Sequence, residues 1–357
     1  MILLDASYIN IGGGKSLLNY FITTLKNKNI LDNYIFIFDK RLGELNFNIE
    51  IKDDKKYFIE SNEFNRFLIY NKIIKQQNIQ SIFCFNNLPP ILTKINIKIF
   101  ILFHNNILLK KISYKNIFRD YKILLKKYYI RLLNNHSYTW IVQTNLVKIK
   151  LVENISNFRN SILILPFYED IETNYKKNPL QLESCFVYIA DASFHKNHLF
   201  LLDAWLKIYE NYNLKPSLFF TFNSNQNVAL QNKIIELNKQ GLNLFNLGIL
   251  NKIELLELYE KCSFLIYPSL EESFGLPLIE ASQLNKFIIA IDLPYVKEII
   301  EPTLLFSPYN ILDLVEKIFQ IVTNKNLTYM PSKLKINNNI NNIINLLTTK
   351  NHNYVQR

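Results

Sequence analysis

The 357-residue chain is 49% apolar and 20% charged and holds only 7 glycines. That composition excludes disordered and collagen-like classes, and the length suits two hydrophobic cores better than one. A net charge of +11 points to an acidic partner: nucleic acid, anionic lipid or a phosphorylated substrate. Cys84, Cys185 and Cys262 are far apart and odd in number, so they make neither a disulfide framework nor a metal-ligand spacing, and a reducing compartment follows. No run approaches 18 consecutive apolar residues, so no transmembrane helix is expected.

Ile2–Leu4 reads as a first strand rather than a signal peptide, because no basic stretch precedes it and Asp5 interrupts the apolar run. Residues 5–14 read as a loop ending in Gly12-Gly13-Gly14, and 15–26 as an amphipathic helix. Gly14-Lys15-Ser16 invites comparison with an NTPase phosphate loop, but Ile9 stands where that motif needs its first glycine. A glycine turn into a helix still permits close approach of a phosphate. Further strands are expected at 34–38, 81–85, 97–103, 139–143 and 162–165, with helical stretches between. Segment 169–183 is polar, aperiodic and contains Pro179, and is read as a linker.

Beyond it the alternation restarts, with strands at 185–189, 217–222, 242–245, 263–267, 287–291 and 304–306. Helices are expected at about 197–212, 226–239, 251–261 and 275–284. Alternating strands and helices predict parallel sheets covered on both faces. The fold class is therefore α/β, with two Rossmann-like domains facing across a cleft. The boundaries expected are 1–168, a linker 169–183, a second domain 184–325, and a C-terminal helix and tail 326–357.

The stretch 264–299 organises this reading. An apolar strand runs to Tyr267, a polar loop carries Glu271, Glu272 and Ser273, and Phe274-Gly275-Leu276-Pro277 opens a helix. A helix start at a strand's carboxyl end offers free N–H groups to an anion. Glu272 and Glu280 flank it. Carboxylates repel an anion but accept hydrogen bonds from hydroxyls, so a ligand with both phosphate and hydroxyls, a nucleotide sugar, fits.

These residues carry a family resemblance. The run 268–281, PSLEESFGLPLIEA, resembles the E-x7-E motif of retaining GT-B glycosyltransferases of family 4, also called group 1, with Glu272 and Glu280 at its glutamate positions. Asn246-Leu247-Gly248-Ile249 resembles that family's base-pocket segment. The run 188–205 resembles its phosphate-binding region, with Lys196 at the lysine position. The family's arginine five residues earlier is replaced here by Asp191. Gly12–Gly14 resembles the glycine loop near the donor, and Phe103-His104-Asn105 the strand-end histidine near the reacting sugar.

The resemblance implies a hexosyltransferase-like enzyme (EC 2.4). It would transfer a sugar from a nucleotide diphosphate donor to a hydroxyl acceptor, with retention, in polysaccharide synthesis of the cell envelope (lipopolysaccharide or capsule). It implies catalytic roles for Glu272 and His104. Gly13, Gly14, Lys196, Gly248, Ile249, Ser273, Phe274, Gly275, Leu276 and Glu280 are its donor-binding residues. No metal and no cofactor beyond the sugar nucleotide is expected; His195 and His198 lack a third ligand.

Expected partners are the donor, a saccharide or lipid-linked acceptor, and an anionic membrane surface met through 110–132. There Lys115, Arg119, Lys122 and Lys126 form one helical stripe, and Ile117, Tyr121, Leu124, Tyr128 and Leu132 another. The expected location is cytoplasmic, peripheral on the inner membrane face. Two alternatives stand beside this reading. An epimerase of the same fold would turn over a sugar nucleotide without acceptor. A basic nucleic-acid-binding protein would fit the charge, but no recognition motif supports it and no nucleic acid is expected.

Overall fold

The structure, a computed structural model, describes residues 1–42, 50–92, 97–109, 117–155, 160–171, 185–324 and 329–349, with the backbone alone at 107 and 117–120. The chain divides into two units, Met1–Glu169 joined by the segment from Asn337, and Asp170–Ile336. Most of the expected linker, and Lys110, Lys111 and Lys115, lie outside the described residues.

The first unit runs β1 (Ile2–Ala6), α1 (Gly12–Asn27), β2 (Tyr34–Asp39), β3 (Lys56–Ile59), α2 (Glu63–Gln76), β4 (Ser81–Cys84), β5 (Lys98–Phe103), α3 (Ile117–Leu133), β6 (Thr139–Val142), α4 (Asn145–Asn154) and β7 (Ser161–Ile164). Its sheet has the order β3-β2-β1-β4-β5-β6-β7, and every pairing is parallel. β1 and β2 are buried along their whole length, as expected of continuous apolar strands covered on both faces. The order reverses between β1 and β4. At β1, the buried Asp5 accepts from Arg66 Nε at 2.6 Å, the Tyr70 hydroxyl at 2.7 Å and the Ser7 N–H at 3.0 Å. Arg66 also donates to the carbonyls of Leu88 and Pro89, each at 2.9 Å. The charge in the strand is thus matched by one guanidinium and satisfied by hydrogen bonds.

The second unit runs β8 (Cys185–Tyr188), α5 (His198–Tyr212), β9 (Ser217–Phe220), α6 (Val228–Lys239), β10 (Leu244–Asn246), α7 (Lys252–Lys261), β11 (Phe264–Tyr267), α8 (Leu276–Gln283), β12 (Phe287–Ile291), α9 (Pro294–Ile299), β13 (Ile300–Glu301), β14 (Leu304–Phe306), α10 (Ile311–Thr323) and β15 (Lys333–Leu334). Its parallel sheet is ordered β10-β9-β8-β11-β12-β14, with β13 and β15 as a separate antiparallel ribbon. The order reverses between β8 and β11. α11 (Ile340–Thr348) then returns to the first unit. There the Leu347 carbonyl accepts from Ser81 Oγ at 2.8 Å, and Asn338 Nδ2 donates to the Tyr168 carbonyl at 2.7 Å.

The structure departs from or adds to the sequence-based expectations in several places. The glycines do not end a loop: Gly12, with φ +65°, already opens α1, because a first turn tolerates glycine as readily as a loop does. β3 lies where no strand was expected. On α3, for which no buried face was assigned, the tyrosine–leucine stripe is the outward one. Ile130 is fully buried and Ile123 and Tyr129 pack on the core, whereas Tyr121, Leu124, Leu125, Tyr128 and Leu132 are exposed.

Candidate functional site

In a parallel sheet, ligands bind beyond the carboxyl ends of the strands where the strand order reverses. In the second unit that point lies between β8 and β11, and the residues following these two strands meet there. After β8 the chain makes a turn, Phe194–Lys196, that ends on Asn197 in the left-handed conformation. The turn is tied to the loop after β11. Leu270 N–H donates to the His195 carbonyl at 2.8 Å, and Asn197 Nδ2 to the Pro268 carbonyl at 3.4 Å. The Tyr188 hydroxyl fixes the Lys196 carbonyl at 2.6 Å, and the Tyr295 hydroxyl the Ser269 carbonyl at 2.6 Å.

These ties bring Lys196 Nζ to 2.5 Å from Glu272 Oε1, in a pair whose side chains are only 13% and 10% exposed. The Tyr267 hydroxyl donates to the same oxygen at 2.8 Å. Burial, then the Glu272 charge, pushes the Tyr267 phenol well above its ordinary value, so it stays a donor at every working pH.

Gly275, with φ +67°, precedes α8, whose start has no side-chain cap and carries Pro277 in its first turn. A side chain there would meet Leu278 Cδ1 at 3.2 Å and the Tyr267 hydroxyl at 3.7 Å. Within α8, Glu280 Oε2 accepts from the Tyr259 hydroxyl of α7 at 3.1 Å, and the same hydroxyl lies 3.3 Å from the Pro277 carbonyl. Each glutamate of the pair is thus held by a buried tyrosine from the element behind it. Ser273 is half-buried and Phe274 buried between them.

Gly248 and Ile249 follow β10. Gly248 takes φ +75° with open space around it, and its N–H donates to Asn246 Oδ1 at 3.2 Å. Ile249 is 74% exposed. Asp191, at the position where an arginine was expected, is an anion. Burial pushes its carboxyl up, but hydrogen bonds from Ser193, and then Lys196 and His195, hold it below the ordinary value. His198 is buried against Tyr188, Phe220 and Phe222, and burial lowers it to about 4. It is a packed neutral ring.

In the first unit the strand order reverses at β1 and β4, and the glycine turn follows β1. His104, just past β5, donates its N–H to Asn87 Oδ1 at 2.7 Å. Its Nε2 lies 3.4 Å from Asn87 Nδ2, and its Nδ1 is buried without a hydrogen-bond partner. Burial lowers the ring to about 4. A Cβ added at Gly14 would stand 3.5 Å from His104 Nε2, an ordinary packing distance, so the turn runs close beside the imidazole. Gly13 lies beside it in the first turn of α1.

Lys196 and Glu272 therefore meet directly, and Gly14 lies near His104. Tyr259, Tyr267 and Asn87 were not singled out from sequence; an aromatic in an apolar run reads as packing, and only the fold shows where its hydroxyl points. Among the described residues no group of three or more His, Cys, Asp or Glu is placed to hold a metal ion. No helix of those residues is long and apolar enough to cross a membrane.

Residues 170–340 match the family described as glycosyl transferases group 1. No curated protein matches the chain in sequence. Among solved structures, a glycosyltransferase from Rickettsia africae is similar at 18% identity and TM-score 0.61, over 90% of this chain and 88% of that one. Anabaena HepE, solved with UDP and glucose, is similar at 14% and 0.63 over 90% of each chain. The lipopolysaccharide outer core galactosyltransferase WaaB is similar at 14% and 0.59, over 91% and 90%. At these identities the likeness establishes the GT-B fold.

Proposed function

Residues 170–340 form a group 1 glycosyl transferase domain, and from that premise we propose that the chain moves a sugar from a nucleoside diphosphate sugar to an acceptor hydroxyl, with retention. The observation that carries the reading is the Lys196–Glu272 pair at the strand-order reversal, next to the uncapped start of α8. In this reading the diphosphate lies against Lys196 and the N–H groups of 275–276. The ammonium and helix dipole offset the charge that develops on the leaving group. Glu280 accepts from the ribose and Glu272 from the reacting sugar. Gly248 and Ile249 border the base.

His104 is nearly always neutral above pH 5 with its ring lowered to about 4. A neutral imidazole can accept from a sugar hydroxyl through one nitrogen and donate through the other. Catalysis then rests on orientation and on charge stabilisation, with no role for Glu272 as attacking group. The similar Anabaena structure holds UDP and glucose, which supports a uridine nucleotide as the first donor to test. The similarity to a lipopolysaccharide galactosyltransferase supports a cell-envelope acceptor, and with it a cytoplasmic site of action.

The test is thermal denaturation of the full chain with UDP, GDP, ADP and dTDP in turn. One of them should stabilise the protein by about 2.7 kcal/mol at a hundredfold excess over its Kd. Lys196→Met should erase that effect. Stabilisation by none, or an unchanged shift in the variant, refutes the assignment. Turnover of the bound sugar nucleotide without acceptor would move the reading to an epimerase.

A further inference from the structure

Helix α3 turns the wrong side to water for an ordinary surface helix. From Tyr121 to Leu133 its side chains read YKILLKKYYIRLL, with four basic residues and no acid. Ile130 is fully buried, and Ile123 and Tyr129 pack on the core of the first unit. Tyr121 is 50% exposed, Leu125 61%, Tyr128 65% and Leu132 67%, with Leu124 beside them at 37%. At 100° per residue these five fall in one stripe about 100° wide, centred opposite Ile130. Lys122 flanks the stripe on one side and Arg131 on the other, both exposed, while Lys126 lies further round with its ammonium 6.0 Å from the centre of the Tyr8 ring.

We propose that this outward face of α3 is an interfacial surface that seats the first unit on an anionic lipid bilayer. Leucine and tyrosine side chains enter the boundary between headgroups and acyl chains, and the flanking cations meet lipid phosphates. The face fits that partner better than others. Nucleic acid takes the cations but offers nothing to Leu124, Leu125 and Leu132. A second copy packed on the same face brings Lys122 and Arg131 against their own kind, with Asp120 the one acid on the helix to set against them. The net charge of +11 adds long-range attraction to an anionic surface. The surface lies within the first unit, outside the donor-binding residues, so the inference stands or falls independently of the glycosyltransferase reading.

The experiment is co-sedimentation of the full chain with vesicles of phosphatidylcholine alone and of phosphatidylcholine with phosphatidylglycerol, without sugar nucleotide. Binding is expected to the anionic vesicles and to weaken as NaCl is raised. The double variant Lys122→Gln/Arg131→Gln should lower the partition roughly tenfold or more. Leu125→Glu/Tyr128→Glu should abolish it. Both pairs replace exposed side chains, and unchanged circular dichroism checks that the fold holds. Equal binding to neutral and anionic vesicles, or equal binding of wild type and the Leu125/Tyr128 variant, overturns the proposal. So does a concentration-dependent dimer in sedimentation velocity that the same variant dissolves, which would assign the face to a second copy.

Discussion

Replacing Glu280 by alanine removes one acceptor from the Tyr259 hydroxyl, but that hydroxyl still lies 3.3 Å from the Pro277 carbonyl. The fold should therefore survive while, under the proposed function, the ribose loses its partner. Leaving such a pair unmade costs about 1–3 kcal/mol, so Glu280→Ala should bind nucleoside diphosphate roughly five- to a hundredfold more weakly by calorimetry, with little change in Tm. Glu272→Gln should behave differently. In the free protein Lys196 is paired with Glu272 at 2.5 Å, so a diphosphate competes with that carboxylate for the same ammonium. The glutamine frees the lysine, and UDP should bind no more weakly than to wild type while kcat and kcat/KM fall together. A rise in KM alone would make Glu272 a binding group only. Glu272, Glu280 and Lys196 were legible because they sit at fixed spacings in short motifs. The tyrosines behind them were not, since Tyr259 and Glu280 meet only when α7 is laid against α8. Asp5 was visible as an acid within an apolar strand, but its guanidinium partner is 61 residues away, beyond the reach of any local pattern.

At the level of elements, the turn into α8 depends on one backbone conformation. Gly275 has φ +67°, which costs a residue with a side chain roughly 1–2 kcal/mol. The added Cβ would also press on Leu278 Cδ1 at 3.2 Å. Gly275→Ala should lower stability in denaturant titration by an amount of that order. It should also weaken nucleotide binding, because relieving that contact shifts the backbone that opens α8 beside Glu272. Strands such as β12, FIIAI, were legible as uninterrupted apolar runs between turns. β3, KYFI, was not, being four residues long and flanked by charge. For α3 the periodicity separated two stripes correctly but carried no sign: which stripe faces inward is decided by the residues of the sheet it meets. Ile130, not the tyrosine–leucine stripe, fills that contact.

For the molecule as a whole, acid should be the damaging condition, and in both units. Burial lowers His104 in the first unit and His198 in the second to about 4, against about 6.5 for an unfolded histidine. A base lowered on folding favours the folded state above its unfolded pKa and loses that advantage as pH falls. The loss therefore runs from about pH 6.5 down to 4. Asp5 adds to it at still lower pH. Burial pushes its carboxyl up, but Arg66, Ser7 and Tyr70 outweigh this and hold it below the usual 3.8. Its contribution is present above the unfolded value and disappears in strong acid. Denaturant midpoints measured from pH 7 to 4 should fall steadily, and His104→Gln should flatten part of the first unit's decline. A flat profile over that range would show that both rings take up protons in the folded protein as readily as in the unfolded chain. The two-sheet layout was legible because strand and helix signals stop and restart around residue 170. That the last helix rejoins the first unit was not, because a short amphipathic helix such as α11 fits either sheet equally well by pattern.

That return has a consequence for the order in which the protein is made. The second unit is one unbroken stretch, Asp170–Ile336, set inside the sequence of the first. On the ribosome it is complete while the first sheet still lacks α11, whose Ile340, Ile343, Ile344 and Leu347 are buried when it docks. The earlier-made unit is thus the later one to close, and until the segment from Asn337 emerges its flank carries an uncovered apolar strip. Synthesis at about 5–20 residues per second leaves that strip open for on the order of ten seconds or more, the interval in which a nascent chain of this kind most needs a chaperone.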